Sequence, residues 1–199
     1  YNFDVAMTIP EDALAGTTGT FTMTADSANS DATATQTFEV SVDQHYGVSL
    51  AVEASSIEAA PGATVDFSFT LSNTGNGEDT YGISVDGPAV WTPTASASEV
   101  TVGAVSDSQF LVSVTIPEDR DAGADSGDIT VTVISSDNDT SDNATVSASA
   151  SQVFDISMAH YSGSDGTVTV SQDTSLQIKL NVTNNGNGVD TLSLSLTNA

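Results

Sequence analysis

One phrase of eight residues occurs twice in this chain, and this repeat constrains the fold more than any other feature. Residues 73–80 and residues 184–191 both read Asn-x-Gly-Asn-Gly-x-Asp-Thr, so the second copy follows the first at an offset of 111 residues. Recurrence at a fixed offset indicates copies of one structural unit, each of which must make the same local structure.

Further matches give the length of the unit. The sequence IPED at residues 9–12 recurs at residues 116–119, and YGVSLAV from Tyr46 aligns with FDISMAH from Phe154. These offsets are 107 and 108 residues, so the unit is 107–111 residues long with small loop insertions. We therefore expect the C-terminal half of a unit at residues 1–45, a complete unit at residues 46–153 and the N-terminal half of another at residues 154–199.

Apolar and polar residues alternate within the complete unit. Val65, Phe67, Phe69 and Leu71 fall on one side of a period-two pattern, and residues 110–116 and 129–133 repeat that pattern. Such alternation is typical of β-strands, and about seven strands separated by Gly, Pro, Asn and Asp are typical of an immunoglobulin-like sandwich. The sequence predicts an all-β chain of tandem immunoglobulin-like β-sandwich domains, one complete and two partial. The candidate strands are 48–53, 65–73, 79–85, 99–102, 110–116, 129–133 and 144–153.

The repeated phrase lies between two of these strands, which predicts a structural turn. Glycines permit positive φ angles, and asparagine tolerates left-handed geometry and bonds locally. The aspartate at the end of the phrase is expected to accept hydrogen bonds from backbone amides of the loop. A ligand site is the alternative interpretation. The turn residues are Asn73, Gly75, Asn76, Gly77 and Asp79 in the first copy, and Asn184, Gly186, Asn187, Gly188 and Asp190 in the second.

Two stretches resemble a known class of domain. PGATVDFSFTLSNTGNGEDTYGISV from Pro61 and VTIPEDRDAGADSGDITVTV from Val114 resemble immunoglobulin-like repeats of prokaryotic cell-surface proteins. The CARDB-type and NEW3-type modules are the nearest, and they are common in archaeal surface-layer and adhesin-like chains. The resemblance covers the whole chain. It implies spacers, stalks, adhesive repeats or building blocks of lattices and filaments, and it brings no catalytic residues.

The charge balance excludes several classes of partner. The chain has 27 acidic residues against two basic ones, Arg120 and Lys179, and a net charge of −25. Nucleic acids and anionic membranes are bound through Lys and Arg, so neither is expected as a partner. A self-repelling surface of this kind suits saline water or bound cations. There are no cysteines, and no apolar run approaches the ~18 residues of a membrane span.

The sequence offers no constellation for catalysis, so we do not expect an enzyme. His45 and His160 are the only histidines, and no nucleophile pattern surrounds either. The single tryptophan, Trp91, is more typical of a core or loop anchor than of a sugar platform.

One acidic loop suggests calcium. Ca²⁺ takes six to eight oxygen ligands, several of them carboxylates. The loop reads EDRDAGADSGD and supplies Glu118, Asp119, Asp121, Asp125 and Asp128. The equivalent loop of the preceding unit has only Glu11 and Asp12, so a site shared by every unit is not expected. We therefore predict no obligatory cofactor, with calcium at this loop as a hypothesis.

Three glycosylation sequons suggest an extracellular glycoprotein. They begin at Asn138, Asn143 and Asn181, all at positions that the strand pattern places on the surface.

The two half-units predict that the chain is part of a linear array. Half a sandwich exposes half a core and open strand edges, so something must cover it. Either flanking repeats or a neighbouring subunit arranged head to tail would do so, and both give a linear array. We expect an extracellular structural protein at the cell surface: a filament, stalk or surface-layer component that associates with itself and carries surface glycans. The alternatives are an adhesin that binds carbohydrate or a receptor, and an accessory module of a secreted enzyme.

Overall fold

The regular secondary structure of the described residues is almost entirely β-strand. A computed structural model describes residues 2–161, 167 and 169–197, so parts of the half-unit predicted at residues 154–199 lie outside the described residues. The strands are β1 (Thr18–Asp26), β2 (Thr33–Ser41), β3 (Val48–Val52), β4 (Ser56–Ala59), β5 (Thr64–Asn73), β6 (Asp79–Asp86), β7 (Thr94–Ala95), β8 (Glu99–Val102), β9 (Ser106–Thr115), β10 (Ile129–Ser135), β11 (Ser141–Ala150), β12 (Ile156–His160) and β13 (Leu180–Asn184). A 3₁₀ turn covers Ala89–Trp91.

Two sheets form a sandwich over residues 48–150. One has the strand order β3-β5-β9-β7, and the other has the order β4-β11-β10-β6-β8. The pairs are antiparallel except that β4 runs parallel to β11. Outside this sandwich lie two two-stranded antiparallel sheets, β1-β2 and β12-β13, and among the described residues no sheet combines strands from two of the three predicted segments.

The predicted apolar faces form the core of the sandwich. Phe67, Phe69 and Leu71 of β5 are at most 1% exposed, and the alternating residues of β9 and β10 are buried against them. The rings of Phe69 and Phe110 stack with their centroids 5.3 Å apart across neighbouring strands. Burying such side chains is the main favourable contribution to folding. The prediction of an all-β chain of immunoglobulin-like sandwich domains is confirmed.

Two strands were not predicted from the sequence. β7 has only two residues, too few to show alternation, whereas the four residues of β4 alternate between exposed and half-buried; both strands lie at the edge of a sheet. The start of β9 also differs from the prediction: it begins at Ser106 rather than Phe110, because its polar first residues pair with the end of β5. Pairing with a distant strand, not local composition, sets these boundaries.

The described residues on either side of the sandwich include apolar residues that are exposed although their counterparts in the sandwich are buried. Phe3 is 70% exposed, whereas Phe110, at the same position of the complete unit, is 4% exposed. Leu180 is 49% exposed, whereas its counterpart Phe69 is fully buried. Positions that are buried in the sandwich of residues 48–150 are therefore exposed in both flanking segments.

Candidate functional site: the joint between successive units

The repeated phrase forms a loop that is fixed from within by its first asparagine. Asn73 is 2% exposed. Its side-chain oxygen accepts a hydrogen bond from the Gly75 amide at 2.8 Å, and its side-chain nitrogen donates to the carbonyl oxygens of Gly77 at 2.8 Å and Val102 at 3.0 Å. Asn184 repeats the first two of these bonds in the next unit, to Gly186 at 2.9 Å and Gly188 at 2.8 Å. The loop is therefore a preformed platform.

The second asparagine of the phrase faces the preceding unit. The side-chain oxygen of Asn76 accepts from the His45 amide at 2.7 Å, and its side-chain nitrogen donates to the carbonyl oxygens of Asp43 and Ala13, both at 3.1 Å. Its backbone takes part as well, because the Ala15 amide donates to the Asn76 carbonyl at 2.9 Å. Asn76 thus joins the linker and the IPED turn of the preceding half-unit to the complete unit.

The same joint recurs one unit later. The side-chain oxygen of Asn187 accepts from the Val153 amide at 2.7 Å, and its side-chain nitrogen donates to the carbonyl oxygens of Ser151 at 2.9 Å and Arg120 at 3.2 Å. The Ala122 amide donates to the Asn187 carbonyl at 2.8 Å. Every partner is a backbone atom, so the joint keeps its geometry although Ala13 is replaced by Arg120 and His45 by Val153.

A glutamine in the linker adds a further bond to each joint. The side-chain nitrogen of Gln44 donates to the Glu78 carbonyl at 3.0 Å, and that of Gln152 donates to the Val189 carbonyl at 2.9 Å. Sequence reasoning missed these residues. Their signal was present, because Gln44 and Gln152 stand at equivalent positions, two residues before the Tyr46 and Phe154 that align the units.

The glycines of the phrase leave room for atoms that approach them closely. The sequence had predicted that they adopt positive φ angles, and this prediction is wrong. None of these four glycines, and neither Asn76 nor Asn187, has a positive φ angle. A Cβ added to Gly75 would collide with the carbonyl oxygen of His45, and one added to Gly186 would collide with that of Val153. Positive φ angles occur instead in the turns that pack against the phrase, at Gly16 (76°) and Gly123 (80°).

The aspartate of the phrase also differs from expectation. Oδ1 of Asp79 accepts from the amide of its own neighbour Thr80 at 2.7 Å, as Oδ1 of Asp190 does from Thr191, and neither oxygen reaches an amide of the loop. Asp79 is 3% exposed, and its Oδ2 has no hydrogen-bond partner. Tyr81 lies beside it and donates its hydroxyl to the Gly47 carbonyl at 3.0 Å. Burial, with a smaller effect of the Asp79 charge, raises the pKa of Tyr81 to about 12.

The acidic loop is not gathered into a metal centre. Oδ1 of Asp125 accepts from the Gly127 amide at 2.7 Å, and Oδ1 of Asp119 lies 3.8 Å from Nε of Arg120. In the described part of the chain, no three carboxylates or histidines come close enough to hold a metal ion. The structure therefore does not bring together the five predicted ligands, Glu118, Asp119, Asp121, Asp125 and Asp128, and calcium binding stays a prediction.

The remaining candidate residues lie on the surface or in the core. The three sequon asparagines, Asn138, Asn143 and Asn181, are exposed, and their glycosylation stays a prediction. Trp91 is 3% exposed and Tyr81 is fully buried, so neither offers a ring for a sugar to stack on. Tyr161 is exposed, with Nζ of Lys179 4.2 Å from its ring centroid. Over residues 2–161, 167 and 169–197, no helix has the length and hydropathy to cross a membrane.

Comparisons with known proteins report similarity in fold. No protein-family model matches the chain, and no curated protein matches it. An ASH/PapD-like domain of human CEP192 is similar at 12% identity and a TM-score of 0.41, over 51% of this chain and 84% of that one. Domains 4 and 5 of the S-layer protein SbsC are similar at 20% identity and a TM-score of 0.35, over 60% of this chain and 63% of that one. Domains 1–6 of the surface layer protein SbsC are similar at 16% identity and a TM-score of 0.36, over 84% of this chain and 25% of that one.

Proposed function

We propose that this protein is a structural component of the cell surface, in which immunoglobulin-like units are joined end to end into a linear array. A filament, a stalk and a surface layer are forms that such an array takes. The observation that carries the proposal is the joint, which is built twice with the same bonds around Asn76 and Asn187. Because each joint has the same geometry, it places each unit in the same orientation relative to the unit before it.

The strength of the joint supports a stiff array over a flexible string. Each joint has three hydrogen bonds from the asparagine side chain, one from the linker glutamine and at least one between backbones. An intramolecular hydrogen bond contributes about 0.5–1.5 kcal/mol net. Together these bonds favour the docked arrangement by several times the thermal energy, whereas a linker without them would leave successive units free to reorient.

The surface of the units suits an extracellular position. A net charge of −25 on 199 residues keeps the array soluble and repels neighbouring arrays unless cations screen it. The resemblance to CARDB-type and NEW3-type repeats suggests an archaeal or other prokaryotic surface protein, and the exposed sequons suggest added glycans. The half-units are completed by flanking repeats or by a neighbouring subunit. No catalytic step is part of the proposal.

The proposal is tested on material from the native source. Antibodies against this chain should label the outside of intact cells, and the purified protein should appear by electron microscopy as elongated particles with a constant axial repeat. Its denatured mass separates the two ways of completing the half-units, because a mass near 20.2 kDa plus glycan indicates subunits and a mass several times larger indicates tandem repeats. Labelling confined to the cell interior, or particles without an axial repeat, would refute it.

The adhesin alternative lacks its expected aromatic patch. An exposed cluster around Trp91, Tyr81 and Tyr161 would favour carbohydrate binding, but Trp91 and Tyr81 are buried. Saturable binding of a defined glycan by the purified chain would nevertheless establish that alternative in place of a purely structural role.

A further inference from the structure

The polypeptide enters and leaves the complete unit at opposite ends. β4 and β11 are parallel, so the start of β4 and the end of β11 lie at opposite ends of the pair. β3 precedes β4, and its first residue, Val48, pairs with Asn73 beside the joint to the preceding unit. β11 ends at Ala150, one residue before the Ser151 carbonyl that Asn187 binds in the joint to the following unit. A pull along the array would therefore reach this unit at Val48 and Ala150.

The entering segment is bonded to both sheets of the sandwich. β3 pairs with β5 of one sheet over five residue pairs, and β4 pairs with β11 of the other sheet over four. A side chain adds a further bond between the sheets, because the Leu50 amide of β3 donates to Oδ2 of Asp142 on β11 at 2.8 Å. The entering segment cannot leave the unit until both ladders have broken.

Hydrogen bonds between β4 and β11 extend over the whole of β4. The Ser147 amide donates to the carbonyl of Ser55, just before β4 begins, at 2.9 Å. The Ser151 amide donates to the carbonyl of Ala59, the last residue of β4, at 2.8 Å. The leaving strand is therefore bonded to the entering segment from one end of β4 to the other.

The leaving strand is also held on its other side. The Ser126 amide donates to the Ala148 carbonyl at 2.8 Å, and the Ala150 amide donates to the Ala124 carbonyl at 2.8 Å. The first half of β11 pairs with β10. β4, in contrast, is the edge strand of its sheet. Because the entering and leaving segments meet along the β4–β11 ladder, a pull on the two ends of the unit must part them there.

The direction of the pull decides how the hydrogen bonds share it. The bonds of a β ladder run from strand to strand, across the strand direction. A pull toward the start of β4 and toward the end of β11 slides the two strands past each other, so all bonds of the ladder are loaded together. A pull that separates two strands from one end loads their bonds one after another. Each bond is weak by itself, so a ladder that must break as a whole presents a much higher barrier.

We infer that the complete unit carries tension along the array, with the β4–β11 ladder as the element that resists it. The inference rests on the proposed array, because end-to-end joining is what loads a unit through Val48 and Ala150. It adds a mechanical task to that structural role. Forced unfolding is governed by the rate of unfolding, so the force that a unit withstands is a property separate from its equilibrium stability.

The test pulls the 199-residue chain in two directions by single-molecule force spectroscopy. The chain has no cysteine, so handles attach only at introduced ones, and the three chosen positions are exposed. Asp43→Cys with Asp155→Cys places the handles at opposite ends of the complete unit and slides β4 along β11. Asp43→Cys with Asp137→Cys places both handles at one end, because Asp137 lies in the turn between β10 and β11. That second pair peels the entering segment away.

The sliding direction should require a several-fold higher unfolding force than the peeling direction at the same loading rate. The event is recognised by its length, because the chain between residues 43 and 155 spans roughly 370–400 Å when fully extended, and most of that length should be released. Equal forces in the two directions would overturn the inference. This comparison uses a chain whose ladders are unaltered, so it does not depend on the folding of a weakened variant.

A matched pair of proline variants tests the ladder itself. In a parallel pair, every second amide of β4 faces β11. The register and the bonds at the two ends of β4 place the Ala59 amide on that side and the Glu58 amide on the outer side. Ala59→Pro therefore removes a bond of the ladder, whereas Glu58→Pro removes an outward-facing amide, the position where an edge strand accepts proline.

Ala59→Pro should lower the sliding force and leave the peeling force unchanged, and Glu58→Pro should leave both near the wild-type values. An equal loss of sliding force in the two variants, or an equal loss in both directions for Ala59→Pro, would overturn the inference. Failure of the proposed array is detected separately. Native particles without an axial repeat would refute the array, but they would not change the forces measured on the single chain.

Discussion

The side-chain nitrogen of Asn187 lies 3.2 Å from the carbonyl oxygen of Arg120, a residue 67 positions earlier in the chain and in the preceding unit. Asn76 makes the equivalent bond to Ala13, 63 positions earlier, at 3.1 Å. Both acceptors are backbone oxygens, so the joint does not depend on the side chains of the preceding unit. Units of different sequence can therefore keep the same relative orientation, and replacing one asparagine is enough to test the joint.

Asn76→Ala should loosen the first joint without unfolding the complete unit. It removes three hydrogen bonds, which favour docking by about 1.5–4 kcal/mol in total, and none of them lies in the core. Because the chain has no cysteine, spin labels on Asp31→Cys and Ser136→Cys report the distance across the joint. The distribution of distances between the two labels should be narrow in the wild-type chain and broad in Asn76→Ala.

Asn185→Ala is the control, because it removes an exposed asparagine from the other joint and should leave this distribution narrow. Distributions of equal breadth in all three chains would refute the role of Asn76 in the joint.

Gly75→Ala should destabilise the chain through a collision rather than through backbone strain. The added methyl group meets the carbonyl oxygen of His45, so the linker or the loop must shift, at a cost of about 1–3 kcal/mol. Gly82→Ala is the control, because its Cβ would meet nothing closer than Ile134 Cγ2 at 3.8 Å. Thermal unfolding should show a clear loss for Gly75→Ala and a change within about 1 kcal/mol for Gly82→Ala. Equal losses would contradict the steric explanation.

Tyr81 should make stability fall at high pH. Its pKa is raised to about 12 in the folded chain, against about 10 when unfolded, so the folded state retains a proton that the unfolded state releases. The contribution is fully present below pH 10 and is lost as pH rises toward 12. One of the four tyrosines should ionise near pH 12 in an ultraviolet titration. That transition should be absent from Tyr81→Phe, and its persistence there would assign it to another residue.

Salt should stabilise the chain by screening its acidic surface. KCl screens the repulsion among 27 acidic side chains, so the melting temperature should rise with KCl concentration. Screening does not distinguish the two divalent cations, so equal effects of CaCl₂ and MgCl₂ at equal concentration would indicate screening alone. A rise in melting temperature with micromolar Ca²⁺, but not with Mg²⁺, would instead support calcium binding at the loop of residues 118–128.

Sequence periodicity predicted the strands and their buried faces because both are local properties. Side chains of a strand alternate between two faces, so Phe67, Phe69 and Leu71 could be assigned to the core without knowledge of what covers them. The two residues of β7 and the polar first residues of β9 carried no such pattern. They exist because neighbouring strands offer unpaired backbone groups, which is a property of the assembled sheet.

The repeat by itself determined that the chain consists of similar units and that residues 73–80 and 184–191 make the same structure. It could not say why those residues are required. Only the tertiary structure showed that Gly75 is small because His45 approaches it, and that Asn76 holds the preceding unit. The physical reason is distance along the chain: periodicity reports contacts between neighbours in sequence, whereas the joint is formed by segments more than sixty residues apart that meet only once the units have folded.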